Sequence, residues 1–272
     1  MRFDIVTIFP GFFEGVLAHG ILRRALKERL VTVETHDLRE HAHDKHRTVD
    51  DRPFGGGEGM VLKPEPLAET LEALGIRAKA ERGTTSTGSR VILLSAQGQL
   101  FTQATARELA SLDRLVLVCG RYEGVDERIN ELYCDLELSI GDYVLSGGEL
   151  AAAVVLDATM RLIPGVLGNE ASGEFESFGV ADAEIDVDVD GVPRSQHGAG
   201  GLLDYPHYTR PGEFHGLRAP EVLLNGDHAE IRRWRREQQL RKTLQNRPEL
   251  LERASLSVDD QKLLAAMRAN QK

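Results

Sequence analysis

Glycine-rich loops that follow predicted strands are the residues whose type and spacing point most directly to chemistry. These loops begin at Gly98, Gly120 and Gly141. Glycine lets a backbone approach a ligand closely, and ligands of open α/β sheets bind outside the carboxyl ends of the parallel strands. Any one of these loops is also typical of a tight strand-to-helix turn. Three loops of similar design favour one shared ligand pocket.

The residues in these loops indicate the kind of ligand. The chain contains neither G-x-G-x-x-G at the required spacing nor G-x-x-x-x-G-K-[S/T], so dinucleotide and P-loop sites lack their phosphate-binding motif. Aliphatic side chains together with Tyr122 and Tyr143 suit a flat, mostly apolar ligand whose few polar atoms are held by backbone groups.

Two further segments were considered as functional sites. Four histidines, His36, His41, His43 and His46, resemble a metal-binding composition, but the segment has no cysteine and no clear helix to fix their spacing. We therefore predict no metal site there. Residues 50–60 are too rich in glycine for regular structure, which predicts a loop that orders over a substrate.

Charge is distributed unevenly along the chain. The 272 residues carry a net charge of −10. Seven acids lie within residues 174–190, and seven bases against two acids lie within residues 228–247. The basic segment predicts either a solvated helix face or a nucleic-acid surface, and Trp234 within it is expected to anchor the helix rather than to stack on a base.

Composition limits the class of protein. With 41% hydrophobic and 28% charged residues, the chain is typical of soluble globular proteins, and its length favours two domains. The longest apolar run, residues 150–156, is far shorter than the roughly 20 residues of a membrane span. Residues 1–10 leave no room for a signal peptide, and two isolated cysteines, Cys119 and Cys134, favour a reduced, cytoplasmic protein.

Hydrophobic periodicity predicts the elements that would position these loops. Continuous apolar runs predict strands buried on both faces, as in a parallel sheet covered by helices, so the fold class is α/β. Predicted strands cover residues 3–9, 31–35, 91–94, 115–119 and a short run ending at 138–140; predicted helices cover 14–29, 65–74, 102–110 and 148–163. Residues 83–89 read as a surface loop.

The character of the sequence changes after residue 165. Residues 165–201 are polar and lack helical periodicity, which predicts an interdomain linker. Beyond it the chain is mainly helical: Asp227 and Glu230 resemble a capping box, and a further helix is predicted over 257–269.

Five motifs together resemble a known family. They are MRFDIVTIFP at 1–10, GGGEGM at 55–60, CGRYEG at 119–124, IGDYVLSGGE at 140–149 and DYPHYTRP at 204–211. In this order, over nearly the whole chain, they are similar to the bacterial tRNA (guanine-37-N1) methyltransferases of the TrmD family, in the SPOUT superfamily.

The resemblance implies an architecture. It is a SPOUT-type parallel sheet with a deep trefoil knot that binds S-adenosylmethionine, plus a small, mainly α-helical C-terminal domain. The implied domains are a knotted cofactor domain at 1–167, an acidic linker at 168–201 and a tRNA-binding domain at 202–272. The implied assembly is a homodimer with each active site at the interface, and Mg²⁺ is a possible further cofactor.

The resemblance also assigns site residues. It implies cofactor contacts at Leu94, Ser95, Gly120, Tyr122, Glu123, Ile140, Gly141, Asp142, Tyr143, Val144, Leu145, Gly147 and Gly148. It implies catalytic roles for Arg161 and Glu176 and contacts to the tRNA anticodon stem-loop from Asp204, Arg232, Arg233 and Arg236.

The implied chemistry needs a base and a cation. N1 of guanine carries a proton that a carboxylate must remove, and a guanidinium can stabilise the charge that builds on O6. Glu176 stands where the family has aspartate and the linker is longer, so another linker acid from 182–190, or Asp204, remains an alternative base. Two other hypotheses are an RNA-binding protein that has lost efficient catalysis and, disfavoured by the absent phosphate motifs, an unrelated α/β enzyme with a nucleotide cofactor.

Overall fold

The chain divides into two compact units, Met1–Gly168 and Asn169–Lys272, and each is described by itself. The computed structural model describes residues 1–82, 88–169, 175–179 and 199–269. The acidic stretch 182–190, most of the predicted linker and most of the predicted loop at 83–89 lie outside these residues. In the described part, no helix combines the length and apolar character needed to cross a membrane.

The first unit alternates strands and helices, as the sequence predicts. Its elements are β1 (Arg2–Thr7), α1 (Phe12–Leu17), α2 (Gly20–Lys27), β2 (Thr32–Asp37), a 3₁₀ helix (Leu38–His41), β3 (Asp50–Asp51), β4 (Val61–Leu62), α3 (Pro64–Ala73), α4 (Lys79–Arg82), β5 (Ser89–Leu100), α5 (Gln103–Ala110), β6 (Arg114–Cys119), α6 (Glu127–Tyr133), β7 (Leu136–Ser139) and α7 (Glu149–Met160).

Five strands form one parallel sheet in the order β2-β1-β6-β5-β7. Strands β5 and β6 pair from Ser89 opposite Arg114 to Leu94 opposite Cys119, so their carboxyl ends reach the same edge. The prediction of an α/β fold with a parallel sheet is confirmed. The order also means that β6 and β7 lie on opposite sides of β5, so the chain crosses β5 between them.

Both faces of this sheet are buried, which explains its uninterrupted apolar strands. Successive strand residues point to opposite faces. In β6, Leu115 and Leu117 pack in one core cluster with helices α1, α2, α5 and α7. Val116 and Val118 pack in a second cluster on the other face, with α3 and α6. Each fully buried aliphatic side chain of this kind contributes about 1.5–3 kcal/mol.

The sequence prediction fails at two elements of this unit. The single helix predicted over 14–29 is wrong: α1 ends before His19, whose backbone is extended, and α2 begins at Gly20, whose φ is +60°. Strand β5 also runs to Leu100, beyond the predicted 91–94, because a bulge shifts its register on β7 between Leu94 and Gln99. At Gly98 in this bulge, a Cβ would lie 2.5 Å from the backbone carbon of Glu137.

The second unit contains three α-helices, a 3₁₀ helix and a short hairpin in its described part. These are β8 (Glu213–Phe214), β9 (Leu217–Arg218), a 3₁₀ helix (Glu221–Leu223), α8 (His228–Asn246), α9 (Glu249–Arg253) and α10 (Val258–Ala269). The Asp227 carboxylate accepts hydrogen bonds from the backbone N–H groups of Ala229 and Glu230, as expected of a helix N-cap. Its core joins Leu202, Leu240, Leu251 and Leu264.

Arg236 of α8 belongs to this core, so its predicted contact with tRNA is wrong. Its Nε and Nη2 atoms donate to the two oxygens of Asp260, each at 2.9 Å, and both residues are buried. Burial raises the pKa of the Asp260 carboxyl, but the Arg236 guanidinium and the hydrogen bonds from Ser257 together leave this pKa below its usual value. Arg236 therefore holds α10 against α8.

Candidate active site

The bulged part of β5 at residues 94–97 and the loops after β6 and β7 meet at one cleft of about 230 Å³ at the carboxyl edge of the sheet. Its lining includes twelve of the thirteen residues predicted to contact the cofactor: Leu94, Ser95, Gly120, Tyr122, Glu123, Ile140, Gly141, Tyr143, Val144, Leu145, Gly147 and Gly148. Asp142, the thirteenth, is not among the lining residues. The structure thus brings together the loops that begin at Gly120 and Gly141 with the bulge of β5, whereas Gly98 lies within β5 and is not among the lining residues.

The walls of this cleft are built largely from backbone. The Gly148 N–H donates to the Gly120 carbonyl at 2.8 Å, and a Cβ at Gly148 would lie 2.8 Å from the Cα of Cys119. Gly141 has a φ of +151°, and a Cβ there would lie 2.5 Å from the Tyr143 ring. Side chains larger than hydrogen are therefore excluded where the loops approach each other.

The loop after β7 is also fixed by its own polar groups. The Tyr143 hydroxyl donates to the Ile140 carbonyl at 3.1 Å, and the Ser139 hydroxyl donates to the Gly141 carbonyl at the same distance. These bonds hold the turn without any charged side chain. Backbone groups and apolar side chains therefore remain to contact a ligand.

Several lining residues were missed by the sequence analysis. They are Ala96, Gln97, Arg121, Gly124, Leu138, Ser139 and Ala151. Most of them are direct neighbours of predicted residues, so extending each glycine loop by one or two positions would have included them. Arg121 is the charged residue among them.

Cys119 ends β6 beside this cleft, and its thiol stays protonated. Burial raises the pKa of Cys119 well above its usual value, and the Glu149 carboxylate raises it further. A thiolate is the reactive form of cysteine, so Cys119 is not a nucleophile here.

The glycine-rich segment at 50–60 is attached to the wall of the cleft. The Glu123 N–H donates to the Met60 carbonyl, and the Leu62 N–H donates to the Gly124 carbonyl, both at 3.0 Å. Strands β3 and β4 join the two ends of the segment. Phe54 in this segment is an apolar side chain that is 98% exposed.

The four neighbouring histidines do not form a common site. His36 Nε2 lies 2.7 Å from Asp4, and His43 Nε2 lies 2.7 Å from Glu69. Among the described residues, the group close enough to share an ion is Asp4, Glu34 and His36. Arg2 and Arg114 donate to both oxygens of Asp4, so two guanidinium groups already balance the charge of this carboxylate.

The two residues predicted to be catalytic belong to different units. Arg161, half-buried, follows the last residue of α7 and donates its N–H to the Asp157 carbonyl at 3.2 Å. Glu176, also half-buried, begins a turn closed by the Gly179 N–H on the Glu176 carbonyl at 2.9 Å.

The turn that carries Glu176 is fixed to the segment that carries Asp204. The Phe178 N–H donates to the Leu202 carbonyl at 2.8 Å, and the Asp204 N–H donates to the Ser177 hydroxyl at 2.9 Å. The Asp204 carboxylate accepts from the Tyr205 N–H and lies 3.0 Å from His207 Nε2. Asp204 is thus engaged in holding its own segment.

Basic and aromatic side chains lie together near the start of α8. Arg232 is half-buried and Arg233 is exposed. The Arg235 guanidinium lies 4.7 Å from the centre of the Tyr205 ring, and the Trp234 ring lies 6.2 Å from that of the exposed Tyr208. Burial raises the pKa of Tyr205, so its hydroxyl stays neutral beside the cation.

The parallel sheet and its glycine-lined cleft define an α/β protein with a small-molecule site at the carboxyl ends of its strands. A family model described as tRNA (Guanine-1)-methyltransferase TrmD matches residues 1–253. The chain belongs to this family.

Relatives named tRNA (guanine-N(1)-)-methyltransferase match over nearly their whole length. The protein of Koribacter versatilis (strain Ellin345) is 57% identical over 269 residues, which cover 99% of each chain. That of Geobacter metallireducens is 49% identical over 264 residues, covering 97% of this chain and 96% of the relative. That of Chloroflexus aggregans is 49% identical over 255 residues, covering 94% and 89%.

Proposed function

We propose that this protein transfers a methyl group from S-adenosylmethionine to N1 of guanosine 37 in tRNA. Family membership supports the methylation of guanine N1 in tRNA. The observation that carries the proposal is the cleft formed by the bulge of β5 and the glycine-containing loops after β6 and β7.

The residues of the cleft fit S-adenosylmethionine. An adenine ring and a methionine chain need apolar walls and a few backbone partners, and the Leu94, Ile140 and Leu145 side chains with the glycine backbones provide both. Gly148 brings two loops within hydrogen-bond distance of each other. When bound, S-adenosylmethionine supplies a methyl group activated by its sulfonium.

Glu176 and Arg161 provide the two groups that the reaction requires. The Glu176 carboxylate removes the N1 proton of guanine, and the Arg161 guanidinium stabilises the negative charge that forms on O6. The bonds that Asp204 makes to Tyr205 and His207 support a positioning role for Asp204, because they fix its carboxylate within its own segment. Asp204 positions the turn through Ser177.

The second unit supplies the tRNA surface. Guanosine 37 lies in the single-stranded anticodon loop, where proteins contact phosphates with basic side chains and stack bases on aromatic rings. Arg232 and Arg233, with the exposed Tyr208 beside Trp234, offer both kinds of contact.

The proposal extends to the assembly and to the chain path. A second copy of the chain would cover the apolar stripe of α7 at Leu150 and Val154, which are 49% and 46% exposed one helical turn apart. Two features support a trefoil knot. The chain crosses β5 on its way from β6 to β7, and Gly147 in the loop after β7 then forms a bridge with Arg121 in the loop after β6. We place the enzyme in the cytoplasm, because tRNA is there.

A Mg²⁺ ion would prefer oxygen ligands, and Glu123 is the carboxylate among the residues that line the cleft. Assaying methyl transfer over a range of Mg²⁺ concentrations, with EDTA as the zero point, tests this part of the proposal.

Methyl transfer from labelled S-adenosylmethionine to tRNA transcripts tests the main proposal. We expect incorporation into a transcript with guanosine at position 37 and loss of incorporation when that base is adenosine. Tight tRNA binding without incorporation would instead indicate an RNA-binding protein that has lost catalysis.

A further inference from the structure

A buried carboxylate lies behind the cleft, where the proposed reaction makes no use of it. Glu149 is the first residue of α7, is 4% exposed and does not line the cleft. A buried charge is costly unless it is paired, and a helix N-terminus offsets part of that cost. The partners of Glu149 therefore indicate why it is kept.

The first partner is Thr7 at the end of β1. The Thr7 hydroxyl donates to Glu149 Oε1 at 2.8 Å and accepts the Phe9 N–H at 3.0 Å. Thr7 is 1% exposed, so this bond is shielded from water. These bonds fix the Glu149 carboxylate in one orientation.

The second partner is Arg121, whose side chain lines the cleft. Its Nε lies 3.4 Å from Glu149 Oε2, which is an ion pair without a hydrogen bond between these atoms, and its Nη1 donates to the Ser146 carbonyl. The guanidinium carbon lies 4.5 Å from the centre of the Phe9 ring. Arg121 is thus held from three sides, by a carboxylate, a carbonyl and an aromatic face.

Arg121 joins the two loops that form most of the cleft wall. It belongs to the loop after β6, and its backbone bridges Gly147 in the loop after β7. Gly147 is required for this approach: a Cβ there would lie 2.6 Å from both Arg121 Nε and Glu149 Oε2. Glycine at position 147 therefore leaves room for the Glu149 carboxylate to approach the Arg121 guanidinium.

We propose that Glu149 is a positioning residue for the methyl donor: held by Thr7, it fixes Arg121, and Arg121 clamps the loop after β6 onto the loop after β7. This inference rests on the proposed function, because it assumes that the cleft binds that donor. A preformed cleft binds more tightly than one that the ligand must order. Glu149 therefore acts on donor affinity and not on the proton or methyl transfer.

Calorimetric titration of the full-length protein with S-adenosylhomocysteine, the demethylated product, tests this role. We expect Glu149→Gln and Thr7→Val each to raise the Kd about ten-fold, a typical size for the loss of one buried charge-assisted contact. The KM for S-adenosylmethionine should rise by the same factor, while kcat and the Kd for tRNA stay within two-fold of the wild type. Thr7→Ser keeps the hydroxyl and should restore wild-type affinity.

A matched control and a double mutant separate positioning from general stability. Thr159 is a buried threonine of α7, the helix that begins at Glu149. Its hydroxyl has no hydrogen-bond partner within the described residues. Thr159→Val should leave the Kd unchanged. In an Arg121→Met background, Glu149→Gln should have no further effect on the Kd, because Glu149 acts on the cleft through Arg121.

The outcomes separate this inference from the function on which it rests. If the folded wild type binds no S-adenosylhomocysteine, the proposed function fails and the inference with it. If the wild type binds and folded Glu149→Gln and Thr7→Val bind equally well, the inference alone is overturned. Should Glu149→Gln fail to fold, Thr7→Val and Thr7→Ser decide by themselves, and equal affinities there also overturn it.

Discussion

The cleft of the first unit and the basic helix α8 of the second unit teach opposite lessons about functional residues. The cleft depends on residues with little or no side chain: at Gly148 and Gly147 a Cβ would lie within 3 Å of neighbouring atoms. Helix α8 carries several arginines close together in the sequence, but their environments differ. Arg233 is exposed, whereas Arg236 is buried against Asp260.

The difference follows from how each feature is encoded. A glycine at a strand end indicates a requirement of its own backbone. The residue type and its position in the sequence are therefore enough to predict a loop that approaches a ligand closely. The environment of an arginine on a helix can be inferred only when its interaction partner is known. For Arg236 that partner is Asp260, 24 residues away on another helix.

The largest expected effect tests the chemical groups that the two units contribute. Glu176→Gln removes the proposed base, and we expect the single-turnover rate of methyl transfer to fall by about 10²–10⁴-fold. Asp204→Asn is the comparison, because Asp204 is proposed to position and not to react. A larger loss for Asp204→Asn, measured with S-adenosylmethionine and tRNA both saturating, would reverse the two assignments.

Arg161→Ala is expected to act on the same step. Removing a cation that stabilises charge in the transition state lowers the chemical rate by about 10²–10³-fold. Calorimetry with S-adenosylhomocysteine should show nearly unchanged affinity, because Arg161 is not among the residues that line the cleft. An unchanged single-turnover rate would discard this role.

Breaking the buried pair of α8 tests whether Arg236 is structural. Arg236→Ala leaves the Asp260 charge buried and unpaired, so we expect a loss of about 3–5 kcal/mol in the free energy of unfolding of the second unit. Asp259→Ala is the control, since Asp259 is an exposed neighbour whose partner Lys262 is exposed as well. Urea unfolding followed by circular dichroism measures both.

This pair also gives a pH dependence with a defined sign. The pKa of Asp260 is lowered in the folded protein, so the stability it contributes is fully present above the unfolded pKa, about 3.9. That contribution is lost as the pH falls through the folded pKa. Asp260→Asn should therefore reduce stability at pH 7 and flatten its decline in acid, relative to the wild type.

Gly148→Ala tests the backbone cradle. A methyl group would lie 2.8 Å from the Cα of Cys119, which is backbone and cannot move aside cheaply. We expect at least a ten-fold weaker affinity for S-adenosylhomocysteine by calorimetry. Gly15→Ala in α1 is the matched control, because no atom lies within 4 Å of the added Cβ. Equal affinities in wild type and Gly148→Ala would show that the loops are not held by this contact.

The same contrast shows what the sequence alone can predict. The strands of the sheet and the cleft loops were predictable, because continuous apolar runs and strand-end glycines are local signals. The break at His19 and the bulge after Leu94 were not predicted: His19 has an extended backbone inside an apolar helical pattern, and the bulge is defined only by the pairing of β5 with β7. The Thr7–Glu149–Arg121 contact was equally hidden, since it joins residues up to 142 positions apart.

Arg233→Ala is expected to give the smallest effect and sharpens the contrast with Arg236. An exposed arginine that contacts a phosphate adds a sequence-independent share of affinity, so tRNA binding should weaken several-fold and the salt dependence of log Kd should fall by about one unit of slope. The free energy of unfolding should change by less than about 0.5 kcal/mol, because surface substitutions rarely cost more. Filter binding at several salt concentrations, with Arg218→Ala on the exposed β8–β9 hairpin as comparison, measures the slope. An unchanged slope would mean that α8 presents a solvated face to water and that the tRNA surface of this unit lies elsewhere.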